Sequence, residues 1–323
     1  MRDISEQLVK YLTDAHSIEV QALAQMKAAP KLAGDPQLTD AFSAHLSETE
    51  EHERLVRGRL QAHGAKPAPL KDLAGRVTGA GFVLFARSQP DTPGKLATHA
   101  FSYEHMELAA YDLLERVAKR AGDAETGEVA RRIRAQEEAM SGRLAQSWDA
   151  AVDASLRDKG AEDIGKDLES YLTDAHALEA QAIQLLTSAP KLAGTPELER
   201  AYREHLDESR EHERLVEERL RARDAKPSRI KDAAMRLGAL NWGGFFASQP
   251  DTPAKLAAFA YAFEHLEIGA YEQLRRVARR AGDAQTASAA ERILDEERVA
   301  AETVFAGLEP ALDASLEDVG ARA

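Results

Sequence analysis

Two segments of the chain place a histidine, a glutamate and a second histidine at helical spacing. Residues 45–56 read HLSETEEHERLV and residues 205–216 read HLDESREHERLV. His45, Glu48 and His52 are three and four residues apart, so on a helix each lies one turn from the next. Imidazole and carboxylate together suit iron, manganese or zinc. Two readings stand for the histidines. Each is either a ligand, or a core histidine hydrogen-bonded to Glu48 that orients a ligand. Glu48 and His52 (Glu208 and His212 in the second segment) can reach one ion, and His52 enters the expected ligand set. His45 and, more weakly, His16 stay between the two readings.

Other acids occupy positions where a helix should be apolar. Leu12, Ala15, Glu19, Ala22, Leu23 and Met26 share one stripe at 3.6-residue spacing, with Glu19 in its middle. Val129, Ile133, Met140, Leu144 and Trp148 define a second stripe centred on Glu137, while Glu138 points about 100° away. Leu96, Ala100, Glu104, Glu107, Tyr111 and Leu114 form a third. His45, Thr49, His52 and Val56 form a fourth, with Glu48 on its flank. An isolated buried carboxylate takes up a proton or costs several kcal/mol. No Lys or Arg lies on these stripes, so a pair of multivalent cations is the simplest counter-charge. Single acids on apolar faces are usually structural; acids converging from four helices are hard to read that way. Tyr111 and Tyr271 are core aromatics that could also hydrogen-bond to such a site. His105 lies off the carboxylate face and reads as a surface or interface residue.

The elements that must position these residues are written twice. YLTDAH at Tyr11 recurs at Tyr171, PKLAG at Pro30 recurs at Pro190, and RAGDA at Arg120 recurs at Arg280, each 160 residues later without a gap. This is a whole-domain tandem repeat, with domains expected at 1–160 and 161–323. The acids match across the copies as Glu19/Glu179, Glu48/Glu208, Glu104/Glu264, Glu107/Glu267 and Glu137/Glu297. Of ten histidines, eight pair as 16/176, 45/205, 52/212 and 105/265.

In the first copy, helix 1 is expected over about residues 5–28. Helix 2 begins at Asp35-Pro36, where a cap meets a first-turn proline, and ends at His63-Gly64. Helix 3 runs from Asp91-Thr92-Pro93 to Gly122, and helix 4 from Asp123 past Trp148. Each is roughly 40 Å long at 1.5 Å per residue. The fold class is therefore all-α. A long crossover between helices 2 and 3, expected to carry short helices, with short turns elsewhere is the connectivity of ferritin-like four-helix bundles.

Composition removes other classes. Without cysteine, disulfides and thiolate metal sites are excluded. A net charge of −13 opposes nucleic acid and anionic lipid. No apolar run is long enough to span a membrane. GRVTGAG lacks the GK[ST] ending of a phosphate loop. The opening MRDISEQLVKYL lacks an export signal, so a cytoplasmic location is expected.

The series DAHSIE, AFSAHLSETEEHERL, YEHMELAAYDLL and QEEAM resembles the YciF-like family of bacterial stress proteins, within the ferritin-like superfamily. The resemblance covers nearly the whole chain. It implies a bundle of four main helices plus a short one, and a dimetal centre. Its ligands fall at Glu19, Glu48, Glu104, Glu107 and Glu137, with Glu179, Glu208, Glu264, Glu267 and Glu297 in the second copy; spacing adds His52 and His212. Two metal ions per domain are expected, iron first, with manganese or zinc as alternatives. The metals would be bridged by Glu48 and Glu104 or Glu107 and capped by Glu19 and Glu137. This chain departs from the usual Glu-x-x-His pattern, since Glu48 is followed by histidine four residues on and helix 3 carries Glu-x-x-Glu. The two copies are expected to pack on each other as a fused pseudo-dimer. Two functions fit: a diiron or dimanganese redox protein of stress protection, ferroxidase- or peroxidase-like, or a non-catalytic helical stress protein with empty or structural sites.

Overall fold

A computed structural model describes residues 3–69, 72–73, 91–157, 159–229, 231–233 and 251–321. Its regular elements are helices, with no strand among the described residues. The chain divides into two compact units, Met1–Arg157 with Val319–Ala323, and Asp158–Asp318.

In the first unit the helices are α1 (Ile4–Met26), the single turn α2 (Ala29–Leu32), α3 (Pro36–Ala62), α4 (Thr92–Arg120), α5 (Ala124–Ala145) and α6 (Trp148–Ser155). In the second they are α7 (Ala161–Ser188), α8 (Pro196–Arg221), α9 (Thr252–Arg280), α10 (Ala284–Ala306) and α11 (Leu308–Asp318), with a 3₁₀ turn at Ala189–Leu192.

Short polar side chains fix where these helices start. Asp35 accepts from the Leu38 amide at 3.1 Å with Pro36 filling the first turn, and Thr195 does the same for Leu198 at 3.3 Å. Asp123 and Asp283 cap α5 and α10 through the amides of Thr126 and Thr286. Gly122, at φ +70°, ends α4, and the Asp123 amide turns back to the Ala118 carbonyl at 2.9 Å. That left-handed position favours glycine.

In each unit four long helices form a ring of neighbours. In the first, α1 packs on α3 and α4, and α5 packs on the other side of both. Gly34, just before α3, lies against Pro93 at the start of α4. Arg59, near the end of α3, meets Asp123 at the start of α5. The starts of α3 and α4 thus share one end of the bundle. The chain between them must travel the length of α3, roughly 40 Å at 1.5 Å per residue. That return is the long crossover anticipated above. Of the short helices expected within it, Pro69, Asp72 and Leu73 are helical, with the Asp72 amide on the Ala68 carbonyl at 3.0 Å, as are Arg229 and 231–233 in the second unit; the rest of each crossover lies outside the described residues.

Helix 4 differs from its expected extent. It stops at Ala145, and Trp148 starts a separate helix. Trp148 still faces inward, 3 % exposed and 5.2 Å from the Phe101 ring. The apolar stripe therefore continues across the break, and periodicity alone does not mark it. Helix 1 likewise ends at Met26, with α2 following as its own turn.

Candidate metal centre

Each long helix of the first unit delivers carboxylates or imidazoles to the centre of the bundle. Glu19 comes from α1, His45 and His52 from α3, Glu104 and Glu107 from α4, and Glu137 from α5. All six are at most 1 % exposed. Their counterparts Glu179, His205, His212, Glu264, Glu267 and Glu297 are buried at the same places in the second unit.

These side chains form two groups per unit. One contains His45, Glu104, Glu107 and Glu137, and the other Glu19, His52 and Glu137; within each group, one ligand atom per residue lies within 4.8 Å of the rest. Glu137 is common to both. Its Oε1 lies 2.8 Å from His52 Nδ1 and its Oε2 lies 3.4 Å from His45 Nε2. In the second unit Glu297 does the same, at 3.0 Å from His212 Nδ1 and 3.5 Å from His205 Nε2. A carboxylate with one oxygen toward each of two cation positions has the disposition of a bridge.

The histidines are held from behind. His45 Nδ1 pairs with Glu48 at 3.1 Å, which turns Nε2 inward to within 3.2 Å of Glu104. His52 Nε2 pairs with Gln136 at 3.0 Å, which turns Nδ1 inward. Such outer partners fix the tautomer and ring orientation of a ligating histidine. Tyr111, fully buried, donates its hydroxyl to Glu19, and Tyr271 donates to Glu179 at 2.5 Å.

The electrostatics are those of a site built for positive charge. Burial raises Glu19 and Glu137 to about 7, with His52 and the neighbouring acids adjusting the result. Glu179 rises to about 8 for the same reason. Burial and the surrounding carboxylates push Glu107 and Glu267 well above the carboxylate range. Burial opposes the charged form of His45, yet Glu104 and Glu48 outweigh it and raise its pKa well above the usual value. Glu19 Oε2, Glu107 Oε1, Glu179 Oε2 and both oxygens of Glu267 are buried without a hydrogen-bond partner. An unpartnered buried carboxylate oxygen is rare and expensive. Metal coordination satisfies it.

Four carboxylates and two imidazoles are the donor count of ferritin-like di-metal sites, where Glu-x-x-His motifs on two helices each supply one histidine. Here both histidines stand on α3, and α4 contributes Glu-x-x-Glu instead. Two divalent ions would balance the four carboxylates, so the residues fit such a pair.

Of the residues expected from sequence, the structure brings together Glu19, His52, Glu104, Glu107 and Glu137, and likewise Glu179, His212, Glu264, Glu267 and Glu297. It does not bring Glu48 or Glu208 into either group. Glu48 is partly exposed and supports His45 from outside, and His45 Nε2 occupies the inward position instead. Glu137, expected as a cap, is the shared residue. His16 lies outside the groups, bonded to Asp72 at 3.2 Å and Glu53 at 3.0 Å. His105 is buried rather than exposed, with Nδ1 2.7 Å from the Phe101 carbonyl and its ring against Phe101. The role of Gln136 had no sequence signal, because it adjoins Glu137 and its partner His52 is 84 residues away.

The tyrosine contact is testable by itself. Tyr111→Phe and Tyr271→Phe keep the ring but leave both oxygens of the paired glutamate unpartnered. Each should cost the metal-free protein about 1–3 kcal/mol. Thermal melts in chelator should show a fall of several degrees in the affected unit.

The family described as Domain of unknown function (DUF892) matches the chain twice, over residues 3–157 and 166–317. A search of solved structures finds no significant match.

Proposed function

The chain belongs to the DUF892 family, within the ferritin-like superfamily, in two tandem copies, and from that premise we propose that each copy holds a carboxylate-bridged pair of metal ions, iron first, for redox chemistry with O₂ or peroxide. The carrying observation is that four buried carboxylates and two back-supported imidazoles converge from four helices, with several oxygens lacking any other partner. The motif resemblance to YciF-like stress proteins supports a role in stress protection.

In this reading Glu19 and His52 would hold one ion and His45, Glu104 and Glu107 the other, with Glu137, common to both groups, available to each. Iron bound there would supply one electron per ion, so that two Fe(II) oxidised to Fe(III) would furnish the two electrons that take O₂ to peroxide or peroxide to water. The protein's own contributions are distinct from that chemistry. Glu48 and Gln136 fix which nitrogen each histidine presents. Tyr111 holds one oxygen of Glu19 and leaves the other free. Burial keeps bulk water from the carboxylates, which strengthens their attraction for cations. Hard oxygen donors with few imidazoles favour iron or manganese over softer-site ions.

The test is Fe(II) addition to the metal-free chain in an oxygen electrode, with elemental analysis of the product. The expected result is about four iron atoms per chain, two per bundle, and oxygen consumption that saturates with bound iron. Binding without consumption would leave a metal-binding but non-redox protein. No metal under iron-replete conditions, with an unchanged melting temperature, would leave a pair of helical bundles acting through their surfaces.

A further inference from the structure

The two centres share their inner residues but differ in what lies between them and solvent. In the second unit a cleft of about 90 Å³ opens between α8 and α10 and reaches His205, bounded by Glu204, Glu208, Ala300 and Thr303 among others. Six of the nine residues around it differ from the first copy, and three of those differences change charge or open space on the way to His205. Ala300 stands where the first copy has Met140, which is fully buried. Thr303 stands where the first copy has Arg143, whose Nη2 lies 3.6 Å from Glu48 Oε1. Glu204 stands where the first copy has Ala44, one helical turn from Glu208.

The mouths are accordingly opposite in character. In the first unit the Glu48 side chain is 26 % exposed and paired with the Arg143 guanidinium, so a fixed positive charge covers the approach to His45. In the second unit the Glu208 side chain is 47 % exposed and still holds His205 Nδ1 at 3.1 Å, while Thr303 turns its hydroxyl to the Val299 carbonyl. Two carboxylates one turn apart at a narrow opening concentrate cations, and a guanidinium at the same place repels them.

We propose that the second unit's centre loads and releases divalent cations through the cleft at Glu204 and Glu208, while Arg143 and Met140 close that route to the first centre and make it the slowly exchanging one. The inference rests on the dimetal reading above. It assigns the two copies different duties: one exchanges metal with the surroundings, and the other retains it.

The experiment loads the full chain with Mn(II), adds excess EDTA, and follows protein-bound manganese by elemental analysis after rapid desalting. The wild type should lose metal in two phases of similar amplitude, with rates at least tenfold apart. Glu297→Ala should remove the fast phase and Glu137→Ala the slow one, which assigns each phase to its unit. Thr303→Arg, and more strongly Ala300→Met/Thr303→Arg, should slow the fast phase toward the slow one. Arg143→Thr should accelerate the slow phase severalfold. The gate positions in these variants lie at the surface or in the cleft, so their folding is not in question for Thr303 and Arg143. A single phase for all manganese, or rates indifferent to positions 143 and 303, overturns the inference while leaving the dimetal reading intact. Failure of the wild type to bind manganese or iron at all overturns both.

Discussion

Replacing Glu137 and Glu297 together with alanine should bring bound metal from about four ions per chain to fewer than one. Each is the residue common to both groups of its unit, with one oxygen toward each histidine. Removing it therefore takes a ligand from both positions, where loss of Glu19 or Glu107 takes a ligand from one. Glu137→Ala alone should leave about two ions, all in the second unit. The contrast with Glu48→Ala separates a ligand from its support. Glu48 touches His45 from behind and Arg143 from outside. Its loss should weaken binding roughly 10- to 100-fold, as removal of outer partners does, without abolishing it. Elemental analysis and metal titration of the three variants decide this. Full stoichiometry in the double variant would sink the bridging role.

That contrast also shows what the sequence could and could not disclose. Helix starts at Asp35-Pro36 and Asp123 were legible because capping is local chemistry. The four apolar stripes were legible because burial repeats at helical spacing, and the acids on them are the acids the structure gathers. The placement of His45 against Glu48 was less so. Spacing put His45 on the core face and Glu48 on the flank, while family resemblance put Glu48 among the ligands. The structure keeps the stripe and overturns the rest: Glu48, which the four-residue spacing also lets reach an ion with His52, stays on the flank behind His45, because on one helix residues three or four apart are neighbours without all facing the bundle axis. Gln136 and the Met140–Arg143 cover were invisible, since their partners His52 and Glu48 lie on another helix. Contacts between distant segments need the fold before they can be read.

The metal-free protein should be most stable near pH 5 and lose stability as pH rises to 8, the reverse of an ordinary acidic domain. Burial raises Glu19 and Glu137 from 4.5 to about 7 and Glu179 to about 8, and it raises Glu107, Glu267 and Glu297 well above the usual range. His45 and His205 are raised as well: burial opposes this, but Glu104 and Glu264 outweigh it. For every one of these groups the folded state holds more protons than the unfolded chain between the two pKa values. Unfolding then releases protons, so stability falls as pH climbs through that window. Each carboxylate moved by this much is worth on the order of 3 kcal/mol in isolation, and coupling within the cluster reduces the sum. A fall of several kcal/mol between pH 5 and 8 should lower the melting temperature by 10 °C or more. Glu264 and Glu48 act oppositely: burial opposes this for Glu264, but His205 and His45 hold the two below the usual value, and their contribution is lost only on acidification below about pH 4.5. His99 and His265, which burial lowers to about 4, also act oppositely between about pH 4 and 6.5, but they are two groups against the six raised acids. Bound cations take the place of the protons, and protons compete with them, so the stabilisation by metal should grow with pH. Calorimetric melts in chelator and in Mn(II), across pH 5 to 8, should therefore give two curves that diverge upward. A metal-free chain that melts higher at pH 8 than at pH 5 would mean the buried acids are already compensated by something other than protons or metal, and the case for a cation between them would fail with it.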